Sequence, residues 1–428
     1  MIASRSWAGR RYAVLGLARS GVAAVAALVA GGAEVTAWDG DAARRDAVEG
    51  AAIVDLDTVA LAGFDALIVS PGVPLNTHPL AAKARAAGLP VIGDIELFAG
   101  ARAALPPHKV VGITGTNGKS TTTALVHHIL RMAGVPALMG GNIGLPILAA
   151  EPLPEGGVYV LELSSYQIDL TRSLDCEVAV LLNVTPDHLD RYDGFDAYAA
   201  SKGRLFAMQS PAHAAVIGIG DTASAMIARS LSARGEHLTK IAPGICMDQS
   251  RWPALQGPHN AQNALAAIAV ARALGVAERD IDRGLESFAG LPHRMERIGS
   301  RGGVAFVDDS KATNAESTAP ALGAFGRVHW ILGGRAKSDD LDACRPWFDR
   351  VAGAYTIGES GPRFAALLRD AGVAVEEAGT LARAVEAAAG AARPGDTVLL
   401  SPAAASFDQF RDFEERGDVF RACVGELS

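Results

Sequence analysis

The sequence predicts an α/β protein of parallel sheets covered by helices. Short apolar runs, glycine turns and alanine-rich helical stretches alternate along all 428 residues. Hydrophobic residues make up 49% and charged residues 20%, which is enough apolar material for a packed core. Polar, glycine-rich clusters recur at strand ends, where open parallel sheets place ligands. At roughly 100–200 residues per domain the length allows two to four domains, with three as the central expectation.

Near the start, Tyr12–Leu17 reads as a strand, Val22–Ala30 as a helix and Glu34–Trp38 as a strand. Ala66–Val69 is the next strand and ends at Ser70-Pro71-Gly72; helix His78–Ala87 and strand Pro90–Ile92 follow. Ala99–Pro107 is rich in Ala and Pro and marks a first boundary. A second section opens with strand Val110–Thr114, loop Gly115–Gly118 and helix Lys119–Ala133. Strands Val158–Leu163 and Val178–Val184, the Asp-rich connection Thr185–Tyr198 and helix Asn260–Leu274 continue it, and Gly290–His293 is the next linker. In the third section, strands Val304–Val307, Val328–Leu332, Ala354–Ile357 and Val398–Leu400 alternate with helices such as Arg363–Ala371 and Leu381–Ala391.

The net charge of −8 argues against a general nucleic-acid or membrane-surface binder. Cys176, Cys246, Cys344 and Cys423 are widely spaced, without a zinc or disulfide pattern, which suits a reducing compartment. The apolar segments after Arg10 and Arg11 resemble a targeting signal, but Gly16, Arg19, Ser20 and Gly21 interrupt them, so strand, turn and helix is the better reading. No other run reaches about 18 apolar residues, and a soluble protein is expected.

The strongest motif is Gly112-Ile113-Thr114-Gly115-Thr116-Asn117-Gly118-Lys119-Ser120-Thr121, set between an apolar strand and a helix. In that context backbone N–H groups and a helix N-terminus cradle phosphates, and Lys119 reaches the β/γ-phosphates. Ser120, next in line, can hold Mg²⁺. The spacing departs from the strict phosphate loop, since Ile113 stands where the first Gly belongs. Gly16-Leu17-Ala18-Arg19-Ser20-Gly21 is a near match to a dinucleotide turn, and Asp39 ends the next strand, as ribose recognition needs. An ordinary tight turn explains it equally well.

Glu162 closes an apolar strand, from which a carboxylate can reach Mg²⁺. Asn183-Val184-Thr185-Pro186-Asp187-His188-Leu189-Asp190-Arg191 gathers carboxylates and one neutral metal ligand after another strand, although a capped turn fits as well. His293-Arg294 occupies the second boundary. Asp308–Asn314, Gly333–Ser338 and Ser401–Ser406 each follow a strand of the third section. Taken singly they are turn chemistry; together, cations and hydroxyls at three strand ends imply an anionic substrate.

These segments together resemble the Mur ligases of peptidoglycan synthesis over essentially the whole chain. The resemblance is carried by the phosphate loop, Leu161–Gln167, Asn183–Arg191, Leu291–Arg294, Asp309–Asn314 and Leu400–Phe413. Gly93-Asp94-Ile95-Glu96-Leu97-Phe98, Asp309–Asn314 and Ser401–Ser406 are similar to the branch that adds D-glutamate, and the Asn-Pro-Arg motif of the diaminopimelate-adding branch is absent.

The resemblance implies a Rossmann-like domain over 1–99 for a UDP substrate and a central P-loop ATPase domain over 100–292. A Rossmann-like C-terminal domain over 293–428 would bind D-glutamate and close on ATP. It implies a cytoplasmic monomer using ATP, UDP-N-acetylmuramoyl-L-alanine and D-glutamate through an acyl phosphate. Two Mg²⁺ sites are implied, one at Ser120 and Glu162, the other at His188 and a carbamylated Lys202. Lys119, His188 and Lys202 would serve catalysis. Gly115, Thr116, Asn117, Gly118, Lys119, Ser120, Thr121, Asn263, Arg294, Asp309 and Lys311 would bind ATP. Gly16, Ser20, Asp39, Ser70, Gly72 and Asn142 would face the UDP substrate. Thr313, Lys337, Ser406 and Phe413 would form the D-glutamate pocket. Two positions depart from the family pattern: Gly40-Asp41 replaces a Thr-Arg pair that clasps uracil in some members, and Arg335 stands where acidic or small residues are usual. Rival readings are a folylpolyglutamate synthase-like enzyme, a nucleotide-gated binding protein without turnover, and an NAD dehydrogenase.

Overall fold

The computed structural model describes residues 1–187, 189–242, 248–336 and 340–427. Among these, the strands form three sheets. The first contains β1 (Arg11–Leu15), β2 (Glu34–Trp38), β3 (Ala52–Ile53), β4 (Ala66–Val69) and β5 (Val91–Ile92), ordered β3-β2-β1-β4-β5 and parallel throughout. The second contains β6 (His108–Thr114), β7 (Ala137–Gly141), β8 (Gly157–Glu162), β9 (Val178–Leu181), β10 (Ala214–Gly218) and β11 (Leu238–Ile241), ordered β11-β10-β9-β6-β8-β7 and also parallel. The third contains β12 (Glu296–Arg301), β13 (Val304–Asp308), β14 (Val328–Gly333), β15 (Val351–Ile357), β16 (Val375–Gly379) and β17 (Thr397–Leu400), ordered β12-β13-β17-β14-β15-β16; only β12 is antiparallel.

Burial follows this topology. β4, β8, β9, β14 and β17 are buried at every residue, as expected of parallel strands covered on both faces. In the first sheet the chain order reverses between β1 and β4; in the second it reverses around β6. Such reversals leave a crevice at the carboxyl ends of the strands.

The chain divides into two compact units, Met1–Ile245 with Gln262–Glu286, and Cys246–Ala261 with Ser287–Ser428. In the first unit one apolar cluster links Val14, Phe98, Tyr159, Leu161 and Ile217. That core is continuous across the Ala/Pro-rich stretch, because helix Asp94–Ala101 buries Phe98 and Ala101. The Phe98 and Tyr159 rings meet edge-on at 5.1 Å. In the second unit, apolar clusters around Trp330 and around Phe420 occupy the sheet's two faces.

Most expected elements form, with shifted ends. β9 stops at Leu181, short of the expected Val184, because Leu182 N–H donates to Thr114 and the chain then turns toward the phosphate loop. β7, β10 and β11 carry weak sequence signals and exist through pairing with β8 and β9. Among the described residues, no helix is long and apolar enough to cross a membrane.

Candidate active site

The glycine–lysine loop leaves the C-terminal end of β6, where the second sheet reverses. Gly118 has φ +85 and precedes helix Lys119–Met132 as its N-cap. A side chain there would be strained, and its Cβ would strike the Asn263 carboxamide oxygen. Asn263 is buried and accepts a hydrogen bond from Thr122 Oγ1 at 3.2 Å. It therefore buttresses the phosphate loop.

Asn183 braces the loop from β9. Its Oδ1 accepts from Asn117 N at 2.8 Å, its Nδ2 donates to Asn117 O at 3.1 Å, and its carbonyl accepts from Thr116 N at 2.9 Å. The Thr116 hydroxyl meets Tyr198 OH at 3.0 Å and accepts from Thr185 N at 3.0 Å. Lys119 Nζ donates to the carbonyls of Gly115 at 3.0 Å and Thr116 at 2.8 Å. Ser120 is buried in the first turn of the helix and Thr121 is half-buried beside it.

Glu162 lies beside Ile113 in the β6–β8 register and is 2% exposed. Its Oε1 accepts from Asn142 Nδ2 at 2.8 Å, while its Oε2 is buried with no protein partner among the described residues. An orphaned carboxylate oxygen beside a buried serine hydroxyl suits a hard cation with oxygen ligands, so Glu162 and Ser120 fit Mg²⁺. Lys202, 2% exposed, donates to Gly115 O at 2.9 Å and lies 4.7 Å from the centre of the Tyr198 ring. Burial first, and then the charge of Lys119, push its ammonium well below the ordinary lysine range. His188 lies outside the described residues.

A cavity of about 630 Å³ opens at the carboxyl edge of the first sheet. Gly16, Ser20, Asp39, Ser70, Gly72 and Asn142 all line it, so six sequence-predicted residues converge. Its turn is tight: a Cβ on Gly21 would overlap the Gly16 carbonyl, to which Ser70 Oγ donates at 2.7 Å. Burial pushes the Asp39 carboxyl up, but N–H groups from Asp41 and Leu17, with Arg44 behind them, outweigh it and leave the pKa low. Arg44 lines the cavity and reaches Asp39 Oδ2 at 3.4 Å. A cation thus stands one helical turn beyond Gly40-Asp41. Asn142 belongs to this wall and to the Glu162 pair at once.

In the second unit the ends of β13, β14 and β17 converge. Asp309 Oδ2 accepts from Ser401 Oγ at 2.7 Å and its Oδ1 from Met295 N at 3.2 Å. Burial raises its carboxyl to about 7. Arg294 sits between His293 and Met295, both at positive φ, and its charge acts on Asp309. Lys311 Nζ lies 3.7 Å from the centre of the Phe413 ring, a cation–π contact. Thr313 is half-buried, immediately before the helix-capping Asn314. Ser406 is buried, and its carbonyl accepts from Phe410 N at 2.9 Å. Arg335 pairs with Glu359 at 3.1 Å, and its backbone bridges Ala405. Lys337 lies outside the described residues.

Arg416, which the sequence reading passed over, is fully buried. Its guanidinium donates to Ser310 Oγ at 3.0 Å, Ser310 O at 2.7 Å and Ala404 O at 3.0 Å, joining two of these strand-end loops. The available signal was a cation on the helical face that continues to the buried Phe420.

Family models for the Mur ligase middle domain and for the Mur ligase glutamate ligase domain match residues 113–246 and 293–404. The chain is 63% identical to a UDP-N-acetylmuramoylalanine–D-glutamate ligase of Novosphingobium aromaticivorans, over 100% of this chain and 97% of that one. It is 62% identical to the protein of the same name from Sphingopyxis alaskensis, over all of both chains. Among solved structures, MurF from Acinetobacter baumannii superposes with a TM-score of 0.63 at 18% identity, covering 98% of this chain and 92% of that one. MurC from Thermotoga maritima does so at 0.60 and 16%, covering 97% and 99%. The two structures share the fold; the sequence relatives, matched end to end, carry the closer kinship, and the chain belongs to the Mur ligase family.

Proposed function

We propose that the chain is an ATP-dependent ligase that joins D-glutamate to the carboxylate of UDP-N-acetylmuramoyl-L-alanine. One observation carries the reading: Asn142 lines the 630 Å³ cavity and donates to Glu162 at 2.8 Å. An acid held in the cavity thereby has its reactive end beside the phosphate loop.

A carboxylate is a poor electrophile until one oxygen becomes part of a leaving group. In the first step that oxygen attacks the γ-phosphorus and ADP departs, giving an acyl phosphate. In the second, the deprotonated glutamate amine attacks the acyl carbon and the tetrahedral adduct expels phosphate. Both reactants of the first step are anionic, so cations must offset their repulsion. Lys119, at the helix N-terminus, supplies one such charge. Mg²⁺ held by Ser120 and Glu162 would neutralise developing phosphate charge.

Lys202 is held toward its neutral amine, the form that adds CO₂. A carbamate there would turn a cation into a metal-binding anion, with His188 as companion ligand. Gly115–Thr121, Asn263, Arg294, Asp309 and Lys311 are assigned to ATP. Thr313, Lys337, Ser406 and Phe413 are assigned to D-glutamate. Three sections, 1–99, 100–292 and 293–428, divide the work among UDP substrate, ATP and amino acid.

The test is ADP release with UDP-N-acetylmuramoyl-L-alanine and each glutamate enantiomer. Release that requires both the UDP substrate and D-glutamate is expected. Nucleotide binding without substrate-dependent ADP formation would overturn the reading.

A further inference from the structure

Asp94 opens helix Asp94–Ala101, in the segment Gly93–Phe98 that none of the assigned roles uses. It is 3% exposed, and neither carboxylate oxygen makes an aligned hydrogen bond among the described residues. Burial raises its carboxyl to about 6; the N–H of Ile95 and the Ser20 hydroxyl counter only part of that. No cation is among the influences on it.

Ser20 is the side chain that connects Asp94 to the cavity, which it lines from the first turn of helix Arg19–Ala30. A serine has one O–H and two lone pairs. That proton can go to the Asp94 carboxylate or to an anion in the cavity, not to both. Once a diphosphate takes it, an ionised Asp94 loses its side-chain donor and faces added negative charge. A buried carboxylate in that position takes up a proton. The resulting acid can donate to Ser20 Oγ and leave the hydroxyl proton directed at the ligand.

We propose that Asp94 is a positioning residue beneath the UDP-substrate cavity, and that filling the cavity with a diphosphate drives a proton onto it through Ser20. The inference rests on the assignment of this cavity to the UDP substrate. The ionisable side chains on the surrounding elements are Arg19 on the Ser20 helix, Asp39 and Arg44 beyond β2, and His78 beyond β4. On its own helix, Glu96 is engaged by Arg172 N at 2.7 Å and Ser173 Oγ at 2.7 Å. His78 is the competing proton acceptor and needs its own control.

Calorimetry of UDP-N-acetylmuramoyl-L-alanine binding in buffers of different ionisation enthalpy tests the proposal; this ligand's diphosphate is a diester and does not titrate near neutrality. At pH 7.5, uptake of about half to one proton per ligand is expected, with affinity rising several-fold as pH falls from 8 to 6 and levelling below. D94N should abolish the uptake and flatten the pH profile while binding within about threefold of the parent at pH 7.5; H78Q should keep the uptake. Binding without uptake, or the same uptake in D94N, overturns the inference and leaves the cavity assignment standing. No binding overturns both. If D94N does not fold, uptake by the unsubstituted protein that disappears in S20A but persists in H78Q supports the proposal. Uptake retained in S20A defeats it.

Discussion

Lys119 and Lys202 converge on one acceptor, the Gly115 carbonyl, at 3.0 Å and 2.9 Å. Two ammonium groups at one oxygen repel, and Lys202, the more deeply buried, yields its proton more readily. The same crowding that favours a neutral amine leaves Lys119 as the lasting cation of the loop.

Activity should therefore respond to dissolved CO₂ through Lys202. Enzyme degassed and held in CO₂-free buffer is expected to lose ligase activity and to regain it on adding bicarbonate. Lys202→Ala should be inactive and indifferent to bicarbonate. Full activity of degassed enzyme, read as phosphate release, counts against the carbamate.

Lys119→Ala should lose at least ~2.7 kcal/mol of transition-state stabilisation, on the order of a hundredfold in kcat, by analogy with deleting one charge-stabilising donor. The Lys119 side chain closes over Gly115 and Thr116 without filling a core position, so the fold should persist. Near-normal phosphate release from the folded variant would refute the role.

Asp309 makes the second unit's stability depend on pH. Its carboxyl is raised to about 7 by burial, so the folded state keeps a proton that the unfolded chain sheds above about 4. The contribution is fully present below that lower value and is lost as pH rises toward 7, at about 1.4 kcal/mol per pH unit. Asp309→Asn keeps an acceptor for Ser401 and carries no such charge. Denaturant unfolding of both proteins at pH 5 and pH 8 should show the variant gaining relative to the parent at the higher pH. A constant difference would disprove the linkage.

Arg416→Ala should destabilise the second unit by about 3–5 kcal/mol, because Ser310 and Ala404 lose the guanidinium that joins their loops. Arg416→Lys keeps the charge but not the planar fork and should recover only part of this. Unfolding midpoints monitored through Trp330, buried in the same unit, provide the check.

The phosphate loop was legible because its chemistry is local: a strand end, two glycines, a lysine and a helix start lie within a few residues. The cavity residues were legible one by one, as strand-end signals, but not as one wall. The Asn142–Glu162 hydrogen bond joins the ends of neighbouring strands, and the strand that carries Asn142 was itself missed because its Ala-Leu-Met-Gly-Gly run has little β-propensity. Asn263 reads as one polar residue in an alanine-rich helix until Gly118 is found against it.

By itself the sequence determined the α/β alternation, the position of the phosphate loop and the residue types available at each strand end. Periodicity and short motifs suffice for these, since each depends on neighbours along the chain. The tertiary structure alone decided which carboxylates are buried and unpartnered, as at Glu162 and Asp94, and which lysine is pressed toward its neutral form. Those states are set by desolvation and by groups brought together from distant segments, so no local pattern of letters encodes them.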